Sequence, residues 1–331
     1  MFKLLSPKSA GLAAALALAA PGAVSAGELN VIATIAPIHS LAASVMQGVG
    51  EPKLLLQGGA SAHTYAMKPS DAKALQDADI IVQVSETYET FLQKALKTLP
   101  QKAKIVTLAT APGMTLLPVR QGDGFEEHDH GHGHKHDHDH KHGHKHEAKG
   151  ADKHGHGDAT DVHIWLDPVN AAAIVDALAD AFGKAAPAHA STFAANAVAT
   201  KDKLAALDVE VRSMLEPVRG KPFIVFHDIV QYFEKRYGVS AVGSVTLTPE
   251  RQPSAKRLAA VQAKVKALGA ACAFAEPQFS SKVVEAITKA TGARRGVLDE
   301  IGVGVEAGPG HYFEFIRANA RNLRDCLSAT S

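Results

Sequence analysis

The segment PAHASTFAANAVATKDKLAALDVEVRSMLEP, residues 187–217, stands between two halves of the chain that show the same pattern. A proline at each end frames helix-favouring sequence that is rich in alanine. A continuous helix of roughly 30 residues would be about 45 Å long. A helix of that length is suited to joining two domains, so we predict a linking helix over residues 187–216.

On each side of this segment, strand-like and helix-like blocks alternate, as they do in a parallel sheet with helices on its faces. Before it, strands are predicted at 29–34, 52–57, 80–84, 104–108 and 162–166, and helices at 37–48, 68–77, 87–99 and 168–184. After it, strands are predicted at 223–226, 240–247, 271–275 and 296–298, and helices at 229–237, 254–268, 281–291 and 311–327. We therefore predict an α/β protein with two similar lobes, residues 27–186 and 217–331.

The first 26 residues have the features of a cleavable signal peptide. Lys3 and Lys8 form a basic start, residues 11–20 are apolar, and small residues precede a cleavage point after Ala26. The apolar run is too short to span a bilayer. Because no cysteine is available there for lipid attachment, we expect a periplasmic protein without membrane insertion. A cytosolic N-terminus is the alternative.

The two cysteines, Cys272 and Cys326, both lie in the last quarter of the chain. Disulfides persist in the compartment to which an exported protein is delivered. We predict that the two cysteines bond and tie the C-terminal helix to the strand that contains Cys272. Two free buried thiols are the alternative.

Histidine is unusually abundant, with 18 residues in a chain of 331 whose formal net charge is +1. That charge gives no reason to expect nucleic acid as a partner. Residues 122–158 consist mostly of Gly, His, Lys, Asp and Glu, and we predict that they form a disordered loop. Alternating histidines bind metal ions weakly and multiply, so we predict auxiliary low-affinity metal sites in this loop. The twelve histidines concerned are His128, His130, His132, His134, His136, His138, His140, His142, His144, His146, His154 and His156.

Three histidines outside this loop occupy comparable positions. His227 directly follows a predicted strand, His63 lies in the loop after another, and His163 precedes a helix. Asp299 follows the strand at 296–298. Open α/β sheets bind ligands beyond the carboxyl ends of their strands. A cleft between the lobes could therefore bring the four together, and three histidines with a carboxylate or water would complete a tetrahedral zinc site.

The contexts of these residues resemble one family as a set. The segments are PIHS at 37–40, GASAH at 59–63, PSD at 69–71, HIWLDP at 163–168, FHD at 226–228, PE at 249–250 and EPQF at 276–279. In this order they are similar to the ZnuA family, the periplasmic zinc-binding components of bacterial zinc ABC importers, which belong to the cluster A-I solute-binding proteins. The resemblance extends from residue 29 to about residue 327.

The resemblance implies two α/β lobes bridged by a long helix, with zinc in the cleft between them. By position it assigns His63, His163 and His227 as ligands, and a membrane permease as the partner that receives the zinc. A histidine at 227, where manganese receptors have a carboxylate, favours zinc. We expect the protein to act as a monomer.

The fourth ligand is left open by the resemblance. Asp299 matches an aspartate that is a ligand in manganese-binding relatives and lies near the site in zinc receptors. Ala62 stands where some zinc receptors have a glutamate, and Glu300-Ile301 stands where the family usually has proline and leucine. Asp299 or water would then complete the site.

Other functions fit parts of the pattern. A secreted zinc-buffering protein would act through the histidine-rich loop, and a manganese or iron receptor would share the fold. The nitrogen-rich ligand set disfavours the second of these. A zinc hydrolase would use three histidines and an open position, with Glu250 or Glu276 as base. No His-Glu-x-x-His motif is present, and we do not expect an enzyme.

Overall fold

The structure is a computed structural model that describes residues 29–98, 102–120, 125, 160–246 and 249–329. In these residues it contains two four-stranded parallel sheets. The predicted signal peptide, residues 1–26, lies outside the described residues. So does the predicted histidine-rich loop, residues 122–158, apart from Phe125.

The first lobe contains one sheet, in which the strands follow the order β2-β1-β3-β4. Its strands are β1 (Val31–Ala33), β2 (Lys53–Leu54), β3 (Ile80–Gln83) and β4 (Lys104–Thr107). Its helices are α1 (Ala36–Met46), α2 (Pro69–Asp77), α3 (Thr90–Thr98) and α4 (Pro168–Ala185). Strands β1 and β3 are buried along their whole length, as expected for parallel strands covered on both faces.

The second lobe repeats this arrangement, with the strand order β6-β5-β7-β8. Its strands are β5 (Pro222–Val225), β6 (Ser240–Ser244), β7 (Cys272–Ala275) and β8 (Arg294–Val297). Its helices are α6 (Gln231–Tyr237), α7 (Ala255–Leu268), α8 (Lys282–Thr291) and α9 (His311–Ser328). Each of α6, α7 and α8 ends at a glycine in the left-handed conformation, which favours that residue.

Helix α5 (Ala190–Leu215) joins the lobes over 26 residues, or about 39 Å. Short 3₁₀ turns, Pro187–His189 and Glu216–Val218, flank it. It packs against α1 and α4 of the first lobe and against α9 of the second. Its buried side chains recur every three or four residues and form one continuous face, which is apolar except for Thr200. The predicted architecture is therefore confirmed, while the lobe boundaries at residues 186 and 217 stay predictions.

The strand predicted at residues 162–166 is wrong. Residues Ile164–Leu166 form a 3₁₀ turn that leads directly into α4. The Asp161 carboxylate accepts a hydrogen bond from the backbone N–H of His163, and the N–H of Ile164 donates to the carbonyl of Val162, so the chain turns tightly here. The three residues of the turn are buried in the core, which accounts for the apolar sequence that resembled a strand.

The predicted disulfide between Cys272 and Cys326 is confirmed. It connects the first residue of β7 to the last turn of α9, as the sequence indicated. Across the described ranges of the chain, no helix has both the length and the apolar character needed to cross a membrane.

Candidate metal centre

The structure brings His63, His163 and His227 together where the two lobes meet. Their ligand atoms all lie within 4.8 Å of one another. The His227 ring centroid is 5.3 Å from that of His63 and 5.3 Å from that of His163. His163 and His227 are buried, whereas the His63 side chain keeps 19% of its surface exposed. Two of the three imidazoles thus come from the first lobe and one from the second.

Each imidazole has a carboxylate beside its Nδ1 atom. His163 Nδ1 is 2.7 Å from Asp161 Oδ1, and His227 Nδ1 is 2.8 Å from both carboxylate oxygens of Glu276. Because a carboxylate accepts, these Nδ1 atoms donate, so that Nε2 is the nitrogen that becomes free to bind a cation once the ring is neutral. The contact of His63 Nδ1 with Glu250 Oε1 is longer, at 3.5 Å.

The three Nε2 atoms share a second property: each is buried and has no hydrogen-bond partner among the described residues. A buried polar atom without a partner is costly and uncommon in native structures. Imidazoles whose Nδ1 is held by a carboxylate and whose Nε2 is free are typical of metal ligands. The arrangement is therefore suited to holding a cation at the point where the three Nε2 atoms converge.

The sheet of the second lobe explains how His227 meets Glu276. Strands β5 and β7 are neighbours, and their register pairs Val225 with Phe274. The residues two positions further on, His227 and Glu276, consequently emerge side by side at the carboxyl edge of the sheet. The same carboxylate also accepts the backbone N–H of His227, at 3.1 Å, and this second bond fixes the orientation of the histidine.

The carboxylates alter the proton affinity of two of the imidazoles. Burial lowers the pKa of His227, but the carboxylates around it, Glu276 above all and also Glu300, together outweigh burial and raise the pKa to about 9. Burial likewise lowers the pKa of His163, and Asp161 together with Glu300 outweighs burial, so that this pKa is raised. A metal ion binding at these nitrogens must therefore displace protons.

Asp299, predicted as the fourth ligand, does not join this group. Its Oδ1 accepts hydrogen bonds from the backbone N–H groups of Ile301 and Gly302, and its Oδ2 accepts from the N–H of Val303. Gln278 Nε2 donates to Oδ1 as well. The short side chain is turned into its own loop, whose amides it satisfies, and it belongs to neither of the two groups of potential ligand atoms among the described residues.

Glu300 lies at the histidines instead. Its side chain is completely buried, and Oε1 is 3.6 Å from His63 Nε2 and 3.8 Å from His163 Nε2. Burial would raise the pKa of this carboxyl, but the surrounding histidines outweigh burial and lower it to about 2. The site therefore combines three imidazoles with one ionised carboxylate.

Comparison with known proteins places this geometry in a family. A family model described as zinc-uptake complex component A, periplasmic (ZnuA), matches residues 31–326. The chain belongs to this family. Among curated relatives, the high-affinity zinc uptake system protein ZnuA of Brucella suis biovar 1 (strain 1330) is 47% identical over 315 residues, covering 93% of this chain and 94% of the relative. The protein of the same name from Paracoccus denitrificans (strain Pd 1222) is 38% identical over 327 residues, covering 98% of this chain and 100% of the relative.

Solved structures show the same fold. A crystal structure of ZnuA superposes with a TM-score of 0.72 at 23% identity, covering 90% of this chain and 99% of that one. A mutant structure of the laminin-binding adhesin Lmb from Streptococcus agalactiae gives 0.70 at 25% identity, covering 90% of this chain and 99% of that one. The two-lobed architecture joined by a long helix is therefore that of the ZnuA family and its structural relatives.

Three acidic residues contact the histidines of this ZnuA family site, although the sequence analysis did not predict these contacts. Asp161 and Glu276 hold the imidazoles of His163 and His227, although no local pattern marks them as partners. Glu300 stood out in the sequence only as an acidic residue where the family usually has proline. The one signal that could have identified Glu276 is its position two residues after the register partner of Val225 in the neighbouring strand.

Proposed function

We propose that this chain is a periplasmic receptor that captures zinc between its two lobes and delivers it to the permease of an ABC importer. The observation that carries the proposal is the convergence of three buried Nε2 atoms without partners, from His63, His163 and His227. Family membership supports the same conclusion, since the family is one of zinc uptake. The three histidines are proposed as ligands of the transported ion.

The chemistry of the site favours zinc over manganese or iron. Imidazole nitrogen is a preferred ligand of zinc, whereas manganese prefers carboxylate, carbonyl and water oxygens. Three nitrogens with a single oxygen also match the four-coordinate geometry that zinc adopts in proteins. The carboxylates at Nδ1 of His163 and His227 would strengthen both ligands and fix their orientation.

Capture and release would depend on the position of one lobe relative to the other. His227 belongs to the second lobe and the other two ligands to the first, so a bound ion links both lobes. Because α5 and α9 pack against elements of both lobes, we expect small displacements rather than wide hinge opening. Separation of the lobes at the permease would remove His227 from the ion and release it.

We further propose that residues 1–26 direct export and are then removed, that the mature protein is a monomer without nucleic-acid partners, and that residues 122–158 bind additional zinc weakly.

The geometry of the site favours a hydrolase less than a receptor. Glu276 is buried, and both of its oxygens contact the His227 ring, so it is not free to act as a general base.

The test is a calorimetric zinc titration at pH 7.5 of the mature chain without residues 122–158. We expect one tight site, and we expect His63→Ala to weaken it strongly because one of three nitrogens is lost. His189→Ala is the matched control, since His189 lies at the start of α5 and takes no part in the site. If the shortened chain has no tight site, the receptor proposal fails and zinc buffering through residues 122–158 becomes the better explanation.

A further inference from the structure

Glu300 is a completely buried carboxylate among the three histidines, and its bonding is incomplete. Its Oε2 atom is buried and has no hydrogen-bond partner among the described residues. The same is true of the three Nε2 atoms that surround it. An ionised group without sufficient partners is expensive to bury. Three imidazoles and one carboxylate at the junction of the lobes thus have buried polar atoms with unused bonding capacity.

The distance of the Glu300 carboxylate from the two histidines of the first lobe is suited to a shared metal ion. The Glu300 Oε1 atom is 3.6 Å from His63 Nε2 and 3.8 Å from His163 Nε2. Both distances are too long for a hydrogen bond. Zinc bonds of about 2.1 Å in a tetrahedron place ligand atoms roughly 3.4 Å apart, close to the spacing found here. Glu300 also forms a group with His227 and Glu276 whose ligand atoms lie within 4.8 Å of one another.

The first lobe holds Glu300 in place, although Glu300 belongs to the second. The Tyr88 hydroxyl donates to Glu300 Oε1 at 2.6 Å, and Trp165 Nε1 donates to the Glu300 carbonyl at 2.9 Å. Both aromatic side chains are fully buried. The carboxylate and its backbone are therefore fixed by hydrogen bonds that cross from one lobe to the other.

The Glu300 loop is held from its own side as well. Asp299 accepts three backbone N–H groups of residues 301–303, and its own N–H donates to Asn319 Oδ1 in α9 at 2.9 Å. Gly302 has φ +76° and lies against the His311 ring, where an added Cβ would come within 2.8 Å of two ring atoms. This loop conformation turns Asp299 inward to the loop and directs Glu300 to the histidines.

We propose that Glu300 is the fourth ligand of the transported zinc ion and that Tyr88 positions its carboxylate from the opposite lobe. The inference rests on the proposed function and adds to it the identity of the oxygen ligand. It also makes the lobe junction part of the coordination sphere, because displacement of the lobes would break the Tyr88 hydrogen bond and withdraw Glu300. Water as the fourth ligand, with Glu300 as a nearby counter-charge, is the outcome that would contradict it.

The test compares the full mature chain with its Glu300→Gln, Tyr88→Phe and Glu306→Gln variants. Glu306 lies in the same loop region and is exposed, so Glu306→Gln makes the same chemical change away from the histidines. Zinc affinity is measured by competition with a chelator at less than one zinc per protein, so that only the tightest site fills. The visible absorption spectrum of the Co²⁺-loaded protein reports the ligand set directly.

We expect Glu300→Gln to weaken zinc binding by more than the roughly 10–100-fold typical of changes to groups behind a ligand, and to alter the Co²⁺ spectrum. We expect Tyr88→Phe to weaken binding by about tenfold with the tetrahedral Co²⁺ spectrum retained, because the carboxylate is still present but less well oriented. Glu306→Gln should match the unaltered chain in both measurements. A Tyr88→Phe variant that loses only thermal stability would contradict the positioning role.

The two proposals fail differently. If the unaltered chain has no tight zinc site, the receptor proposal fails. If it binds tightly and Glu300→Gln leaves affinity and spectrum unchanged, the receptor proposal stands and Glu300 is not a ligand. Should Glu300→Gln fail to fold, a crystal structure of the unaltered chain with zinc decides: a Glu300 oxygen at about 2.0–2.2 Å from the ion supports the inference, and water in that place overturns it.

Discussion

The disulfide between Cys272 and Cys326 should stabilise the second lobe without affecting zinc affinity. The two residues are separated by 54 positions, and the closed loop contains β7, α8, β8 and α9. In the chain-entropy treatment, closing a loop of this size lowers the entropy of the unfolded chain by about 14 cal/mol/K, or about 4 kcal/mol at 25 °C. Cys272 is the first residue of β7, whereas Glu276 follows the last residue of that strand. Disulfide and metal centre thus lie at opposite ends of the sheet.

The measurement is urea denaturation of the metal-free protein at pH 7.5, comparing the oxidised chain with a Cys272→Ala/Cys326→Ala double variant. Zinc must be absent because a bound ligand adds its own stabilisation to the folded state. We expect the free energy of unfolding to fall by about 2–4 kcal/mol, the upper value being the full loop entropy. The reduced, unsubstituted chain is the control and should behave like the double variant.

Two results would refute this reasoning. A loss of stability below about 1 kcal/mol would mean that the loop entropy is not what the disulfide contributes. A zinc affinity that falls tenfold or more in the double variant would mean that the two ends of the second sheet are coupled. In that case the disulfide would belong with the metal site and not only with the stability of the lobe.

Further predictions concern protons and buried charge. Since His227, with its pKa near 9, is protonated at pH 7.5, zinc binding should release about one proton or more, and affinity should rise as pH increases towards 9. Calorimetry in two buffers of different ionisation enthalpy measures this release, and Glu276→Gln should reduce it; equal heats in both buffers would contradict the prediction. Arg120 pairs with Asp228 and with Glu234 at the lobe junction, so Arg120→Met should cost about 1–3 kcal/mol by leaving two half-buried carboxylates without their ion pair. Burial raises the pKa of Glu234 to about 7. The stability that the protonated Glu234 carboxyl contributes is therefore fully present below the usual pKa of a glutamate and is lost as pH rises through 7. Without Arg120 that pKa should rise further, and urea denaturation should show a larger loss at pH 8 than at pH 5. A loss independent of pH would exclude Glu234 as its source.

Local sequence correctly predicted those elements whose pattern of apolar and polar residues follows from their own burial. The apolar strands around Ile80 and Phe223, the prolines that open α2 and α4, and the length of α5 all report on a single element and its neighbours in the chain. Residues 162–166 show the limit of such reasoning. Their apolar side chains are buried in a 3₁₀ turn, and a short apolar run cannot distinguish a turn from a strand by periodicity.

The sequence by itself determined the two α/β lobes, the helix between them, the disulfide and the three histidines that converge between the lobes. Only the tertiary structure decided which carboxylates contact these histidines. Asp299 and Glu300 are adjacent, so no periodic pattern could say which one faces the cleft. The answer depends on the loop amides that Asp299 accepts and on Tyr88, which is 212 positions away in the chain and lies in the other lobe. Contacts between distant segments follow from strand register and lobe packing, and these are properties of the whole fold rather than of any local stretch.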